Sequence, residues 1–387
     1  MSSRGVPDHV GSAAETIEPA PNRELGSIEP EVDRPERTTR TGLFPFYAAH
    51  GVGRIALYGH EARALTDALR ALESIYEGET VLLPSLTPGT LAEAVRVAGL
   101  VPRFYPLTDD LRPTEEVAEW FDETVLAAVI AHPFGRLQPD ESIDSFADRC
   151  VDHGAGLIED ATRAALSTHD GDAVGLTGDV GLLAFSPFFR VPNGAALVPG
   201  AGIRSEALRN ASVEHRFTSD DVRYSLSTVF RATAAAPVVS SLSRTLSPVR
   251  SHPRETERAP AYASTDVAMS KLSRMLLDHV DPEWCVGARR ANATAWRWHL
   301  ADVEGVSPLF DASTRGCCPS ALPVIVENGR AAGRLREAWP RLVPAVLEGD
   351  AYETERALAA RTRLLPVDQS IDPETVEAVG RTWFGER

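Results

Sequence analysis

What most limits the fold of this chain is an alternation that begins at Leu43, where helical segments and short apolar runs start to follow one another in turn. EARALTDALRALESIY (61–76) carries Ala and Leu at helical spacing, and GETVLLPSL (78–86) follows it after a turn. TLAEAVRVAGL and VPRFYPL repeat the unit, TVLAAVIAHPFG (124–135) is a strand running into a glycine-containing loop, and ESIDSFADRCVDHG is helical. AGLIEDATRA (155–164) reads as a strand with acids at its carboxyl end, and GDVGLLAFS (178–186) as one more. Strands buried on both faces show as continuous apolar runs, and regular alternation with helices builds an α/β domain with a mostly parallel sheet flanked by helices. Ligands bind such sheets at the carboxyl ends of the strands.

After Pro199 the character shifts to helices and then to a Ser/Pro/Arg-rich connector at 236–262. MSKLSRMLLDHV and GARRANATAWRWHLADV are helical, and SALPVIV (320–326) is strand-like. The expected division is a large domain over 42–235 and a smaller α+β C-terminal domain over 263–387. Residues 1–41 mix Pro, Glu, Arg, Thr and Ser with hardly any large apolar side chain, too little to offset ordering entropy, so a disordered tail is expected.

Charge and cysteine content exclude several functions. The formal net charge is −16 and no Lys/Arg cluster occurs, which argues against a nucleic-acid partner. Lys271 is the sole lysine, and an acidic, lysine-poor composition suits a saline, halophilic cytoplasm. Cys150, Cys285, Cys317 and Cys318 show no CxxC or Cys/His ligand spacing, so neither a disulfide framework nor a metal site is expected. No stretch reaches the ~20 uncharged residues of a membrane helix and no secretory leader begins the chain, so a cytoplasmic protein with no membrane partner is expected.

Taken in order, GETVLLPSLTPGTLAEAVRVAGLVPRFY, AHPFG, HGAGLIEDATRA, GDVGLLAFS, VPNGAALV and ARRANATAW resemble the DegT/DnrJ/StrS sugar aminotransferases, from about Leu43 to the C-terminus. The resemblance implies the aspartate-aminotransferase fold (PLP-transferase fold type I), pyridoxal 5′-phosphate (PLP) as cofactor, and a homodimer whose neighbouring subunit completes each site. It implies that Asp160 pairs with the cofactor's pyridine nitrogen, making the ring an electron sink, and that Ser186 contacts its phosphate. Asp and Ser at strand ends also cap helices and turns.

Other positions depart from the family's pattern. The Schiff-base lysine should follow Ser186 by a few residues, where this chain has Phe189 and Arg190, and no lysine precedes Lys271. Arginine cannot take the role, because its guanidinium keeps its proton and offers no lone pair to an aldehyde. Arg163 stands where a Gln or His faces the ring, and Pro88 where an aromatic stacks on it. Glu61-Ala62 replaces the Gly-Thr pair that binds phosphate, which sets a carboxylate against a dianion. Only Gly194 remains of the glycine pair, followed by Ala195-Ala196.

Three readings follow. The first is an aminotransferase-like protein that no longer transaminates and needs no cofactor, a binding or assembly protein near nucleotide-sugar or surface-polysaccharide metabolism. The second is a working aminotransferase that uses Lys271 or noncovalent PLP. The third is PLP-independent chemistry in the same cleft, through Asp160, His132 or His60, although no spacing identifies a partner for either histidine.

Overall fold

The computed structural model describes residues 42–208, 211–219, 221–226, 262, 267–301, 303–327, 333, 335 and 352–384. The tail expected over 1–41 and the connector over 236–262, apart from Tyr262, lie outside the described residues.

A seven-stranded sheet is built from β1 (Ala56–Tyr58), β2 (Thr80–Pro84), β3 (Val101–Tyr105), β4 (Val125–Ala131), β5 (Gly156–Asp160), β8 (Val180–Ala184) and β9 (Ala195–Pro199), in the order β1-β9-β8-β5-β4-β2-β3. The neighbours from β3 across to β8 pair in parallel, and β9 alone runs against the others. The short strands β6 (Thr168–His169) and β7 (Asp172–Ala173) form a separate ribbon. β2, β5, β8 and β9 are buried along their whole length, β2, β8 and β9 as mainly apolar runs and β5 with Glu159 and Asp160 buried at its carboxyl end.

Alternate residues of each strand serve opposite faces. Val81, Leu83, Ala127, Val129 and Ile158 pack with the apolar side of α2 (Glu61–Leu72) and with α3 (Gly89–Val97). Leu82, Ala128, Ile130 and Leu157 face Ile143, Phe146 and Cys150 of α4 (Asp140–His153). Gly154 ends α4 in the left-handed conformation, φ 62°, that commonly closes a helix. α1 (Leu43–Ala49) adds Leu43 and Tyr47 to a further cluster with Phe185, Phe188 and Phe189.

The C-terminal part holds α5 (Lys271–Leu277), α6 (Pro282–Leu300), α7 (Glu353–Arg361) and α8 (Pro373–Phe384) with an antiparallel sheet in the order β10 (Val306–Pro308), β11 (Leu322–Val326) and β12 (Thr362–Leu365). Asp281 caps α6 by accepting from Trp284 N at 3.0 Å, with Pro282 opening the helix. Trp296, Leu300, Val324, Leu365, Val376 and Val379 share one core. The α/β expectation holds. Sequence reading assigned no element to AALVP; it is the reversed strand β9, whose pairing with β8 extends the sheet. Among the described residues no helix is long and apolar enough to cross a membrane.

Candidate functional site

The carboxyl ends of β5 and β8 are neighbours, with Asp160 opposite Leu182 in register. This places Asp160 and Ser186 at adjacent strand ends, where the sequence reading put them. The Asp160 side chain is 8% exposed and accepts from Thr162 N at 2.9 Å. Burial raises its pKa above the ordinary 3.8; Thr162 and Arg163 pull it down, and Glu61 adds to the rise. Asp160, Glu61 and Arg163 thus lie within electrostatic reach of one another. Glu61 and Ala62 open α2, where His60 Nδ1 accepts from Ala62 N at 3.2 Å and lies 3.3 Å from Glu61 Oε2. A backbone donor at the anion-favouring end of α2 is therefore already used, and a carboxylate stands beside it. Pro88 is the N-cap residue of α3, on the loop after β2.

The two histidines of the third reading have partners that no sequence spacing revealed. His132, 1% exposed, accepts from Gln138 N on Nδ1 at 3.1 Å, which leaves Nε2–H to donate to Glu159 Oε1 at 2.9 Å. Burial alone would raise Glu159, yet the bond to His132 and the amides of Thr177 and Gly175 hold it below its ordinary 4.5. With both ring nitrogens engaged, His132 serves the packing of the β4 and β5 ends, and it has no nitrogen left to exchange a proton with a ligand. His60 is a helix cap.

The loop from Ser186 to Asn193 decides what the cleft can do. Phe188 is fully buried and Phe189 is 5% exposed, both in the cluster with Leu43, Tyr47 and Phe185. Arg190 turns the other way: Nη2 donates to Ser370 Oγ at 2.6 Å, and the side chain is 45% exposed. Neither position presents an amine. Arg289, wholly buried on α6, fastens this loop. It donates to Pro187 O (3.0 Å), Phe188 O (2.9 Å), Pro319 O and Ser320 O (3.2 Å each) and Gln369 Oε1 (2.8 Å), with Asp368 Oδ2 at 3.7 Å. Gln369 Nε2 adds a bond to Phe188 O at 2.6 Å. At the far end, Asn193 Oδ1 accepts from Ser270 N (2.8 Å) and Ser273 Oγ (3.2 Å), while its Nδ2 donates to Ala268 O (3.1 Å). Gly194, at φ 144°, lets the chain turn beside Phe185 into β9.

Residues 54–193, which span this sheet and these loops, match the profile of the DegT/DnrJ/EryC1/StrS aminotransferase family. This part, about a third of the chain, is similar to that family. The UDP-N-acetyl-3-dehydro-alpha-D-glucosamine 3-aminotransferase of Acidithiobacillus ferrooxidans is 33% identical over 146 residues, 36% of this chain and 36% of that protein. The dTDP-4-dehydro-2,3,6-trideoxy-D-glucose 4-aminotransferase of Saccharopolyspora spinosa is 30% identical over 152 residues, 38% of each. The aligned stretch therefore spans little more than a third of these curated relatives. The crystal structure of S. venezuelae DesV in complex with a ketimine intermediate superposes with a TM-score of 0.60 at 19% identity, over 90% of this chain and 92% of DesV, a likeness of fold.

The DegT/DnrJ/EryC1/StrS family is PLP-dependent. Lys271, the sole lysine, opens α5 and donates from Nζ to His215 O at 3.3 Å, with the ammonium 5.2 Å from the centroid of the Phe217 ring. Among the described residues no cluster of three or more His, Cys, Asp or Glu is placed to hold a metal ion. The four cysteines are unpaired and buried, and burial pushes each thiol up to about 12, which leaves them inert near neutral pH. Sequence reasoning missed Arg289 although it lies in the quoted ARRANATAW, since its partners are carbonyls about 30 to 100 residues away in sequence.

Proposed function

We propose that this chain is a non-transaminating member of its family, an aminotransferase fold that binds a nucleotide-sugar or a related surface-polysaccharide intermediate in the cytoplasm without PLP, as a homodimer. One observation carries the reading: the loop after β8 offers a buried Phe189 and an outward Arg190 where an anchoring amine is needed, and it is held so from both ends. The residues around Asp160 also fit PLP poorly. Glu61 opposes a phosphate at the start of α2. The two curated relatives named above act on UDP- and dTDP-linked sugars, and this supports the ligand class.

The test is an assay of the full chain with PLP, glutamate and a UDP- or dTDP-linked keto-sugar, following 2-oxoglutarate. The expected rate equals that of a protein-free control. Turnover above that control, abolished by Lys271→Ala, would replace this proposal with an active enzyme that uses the displaced lysine.

A further inference from the structure

α3 starts at the carboxyl end of β2, at the same edge of the sheet as Asp160. Its N-cap residue, Pro88, gives the helix no side-chain cap. The first amides of a helix have no acceptor inside it, and Gly89 N and Thr90 N find none elsewhere among the described residues. Leu91 N and Ala92 N turn back to Pro88 O at 3.0 and 3.3 Å, and the Thr87 hydroxyl is spent on Pro84 O at 2.7 Å.

A side chain adds to these free amides. Thr90 is 7% exposed, and its hydroxyl makes no hydrogen bond among the described residues, although a polar group so far buried is normally paired. Side chains of a helix lean toward its N-terminus, so Thr90, in the first turn, brings an O–H donor to the side of the two N–H groups. The position is open. Pro88 and Gly89 are half-buried, and a Cβ built on Gly89 would meet nothing within 4 Å. Two amides and a hydroxyl at the positive end of a helix suit the oxygens of a phosphoryl group.

α2 starts level with α3, since Thr66 Oγ1 reaches Ala94 O at 3.3 Å and each is the sixth residue of its helix. The two starts differ in what they offer an anion. At α2 the amide of Ala62 is taken by His60 and Glu61 stands beside it, whereas the first turn of α3 holds no acid. Packed helices lie about 8–10 Å apart, a distance at which water and salt screen the charge of Glu61.

We propose that the start of α3 is a phosphoryl subsite of the cleft, where Gly89 N–H, Thr90 N–H and Thr90 Oγ1–H donate to one phosphoryl group of the ligand's diphosphate. That this ligand is a nucleotide-sugar rests on the reading above.

Isothermal titration of the full chain at one fixed ionic strength tests this, with UDP-N-acetylglucosamine, dTDP-glucose and inorganic pyrophosphate as probes. Thr90→Val removes the hydroxyl and keeps the shape, and no bond within the protein is lost. It is expected to weaken binding of pyrophosphate and of the nucleotide-sugar that binds by about tenfold, the loss of one charge-assisted hydrogen bond, and Thr90→Ser to keep the parent's affinity. Gly89→Pro removes one N–H at the helix position that proline suits, after a Pro88 whose ψ of 141° accommodates a following proline. A loss of about tenfold is expected there too. Nucleotide-sugar binding that is equal in the parent, Thr90→Val and Gly89→Pro would overturn the subsite and leave the nucleotide-sugar reading intact. Variant-sensitive binding of pyrophosphate, with neither nucleotide-sugar bound, would keep the subsite and overturn that reading. Binding of none of the three probes to the unaltered chain would overturn both.

Discussion

The carboxyl ends of β5 and β8 adjoin on parallel strands yet carry loops of opposite character. After β5, Asp160 is a buried acid with a raised pKa, a costly group for a protein to keep. After β8, every strong contact is structural: two phenylalanines in the core, two carbonyls taken by Arg289, and an asparagine sewn to the start of α5. One end carries a buried carboxylate and the other forms a joint between the sheet and the C-terminal part. Under the proposed function, the contrast is that of a fold outlasting its chemistry. Loops at strand ends contribute little to the sheet itself, so an anchoring residue can be exchanged for packing while the strands keep their order.

The largest expected effect strikes the joint. Arg289→Met removes the donor from four carbonyls and from Gln369, and it should cost about 3–5 kcal/mol in urea unfolding, the range seen when a buried charged network loses a member. A cost below about 1 kcal/mol would mean the loop is held by its phenylalanines alone. Phe189→Lys comes next. It places an ammonium in an apolar cluster and should lose about 3 kcal/mol or more. If that variant were as stable as the parent, position 189 would have room to face the cleft, and the two strand ends would differ less than described.

How far sequence could see follows the same division. β2 to β5, β8 and helices α2 to α4 were legible because apolar runs and helical spacing are local, and Asp160 and Ser186 came with them as strand-end residues. β9 was hidden because the two alanines and the proline of AALVP carry little strand signal, and pairing with β8 decides it. The orientation of Arg190 depends on Ser370, 180 residues away, and the engagement of His132 depends on Glu159, 27 residues away on the next strand. Long-range partners of this kind leave no spacing to read. Even the absent lysine, plain in the sequence, gave no hint that a buried arginine on another element holds the loop that should carry it.

A smaller effect lies at the β5 end. Because burial lifts Asp160 above 3.8, the folded chain keeps this proton at pH values where the unfolded chain has released it, so the contribution of Asp160 to stability falls as pH rises from about 4 through the folded pKa. Asp160→Asn should therefore match the parent near pH 3 and gain on it toward neutrality, by on the order of 1 kcal/mol, in unfolding measured across pH. A variant less stable at pH 7 than the parent would show that a carboxylate at this position is needed by the fold. The smallest change belongs to Arg190→Lys. At a half-exposed position it should shift stability by less than about 0.5 kcal/mol.

Arg190→Lys also restores an amine to the loop after β8, and beside the unaltered chain it gives the most direct test of the difference between the two strand ends. Both proteins would be incubated with PLP, reduced with borohydride and digested, and the masses of all lysine-containing peptides recorded alongside the visible spectrum. The account predicts a spectrum equal to the sum of free PLP and protein, with no pyridoxyl adduct at Lys271 in either protein and none at the new lysine, whose side chain should follow the arginine toward Ser370. A saturable visible band in the unaltered chain, with stoichiometric label on Lys271, would contradict it.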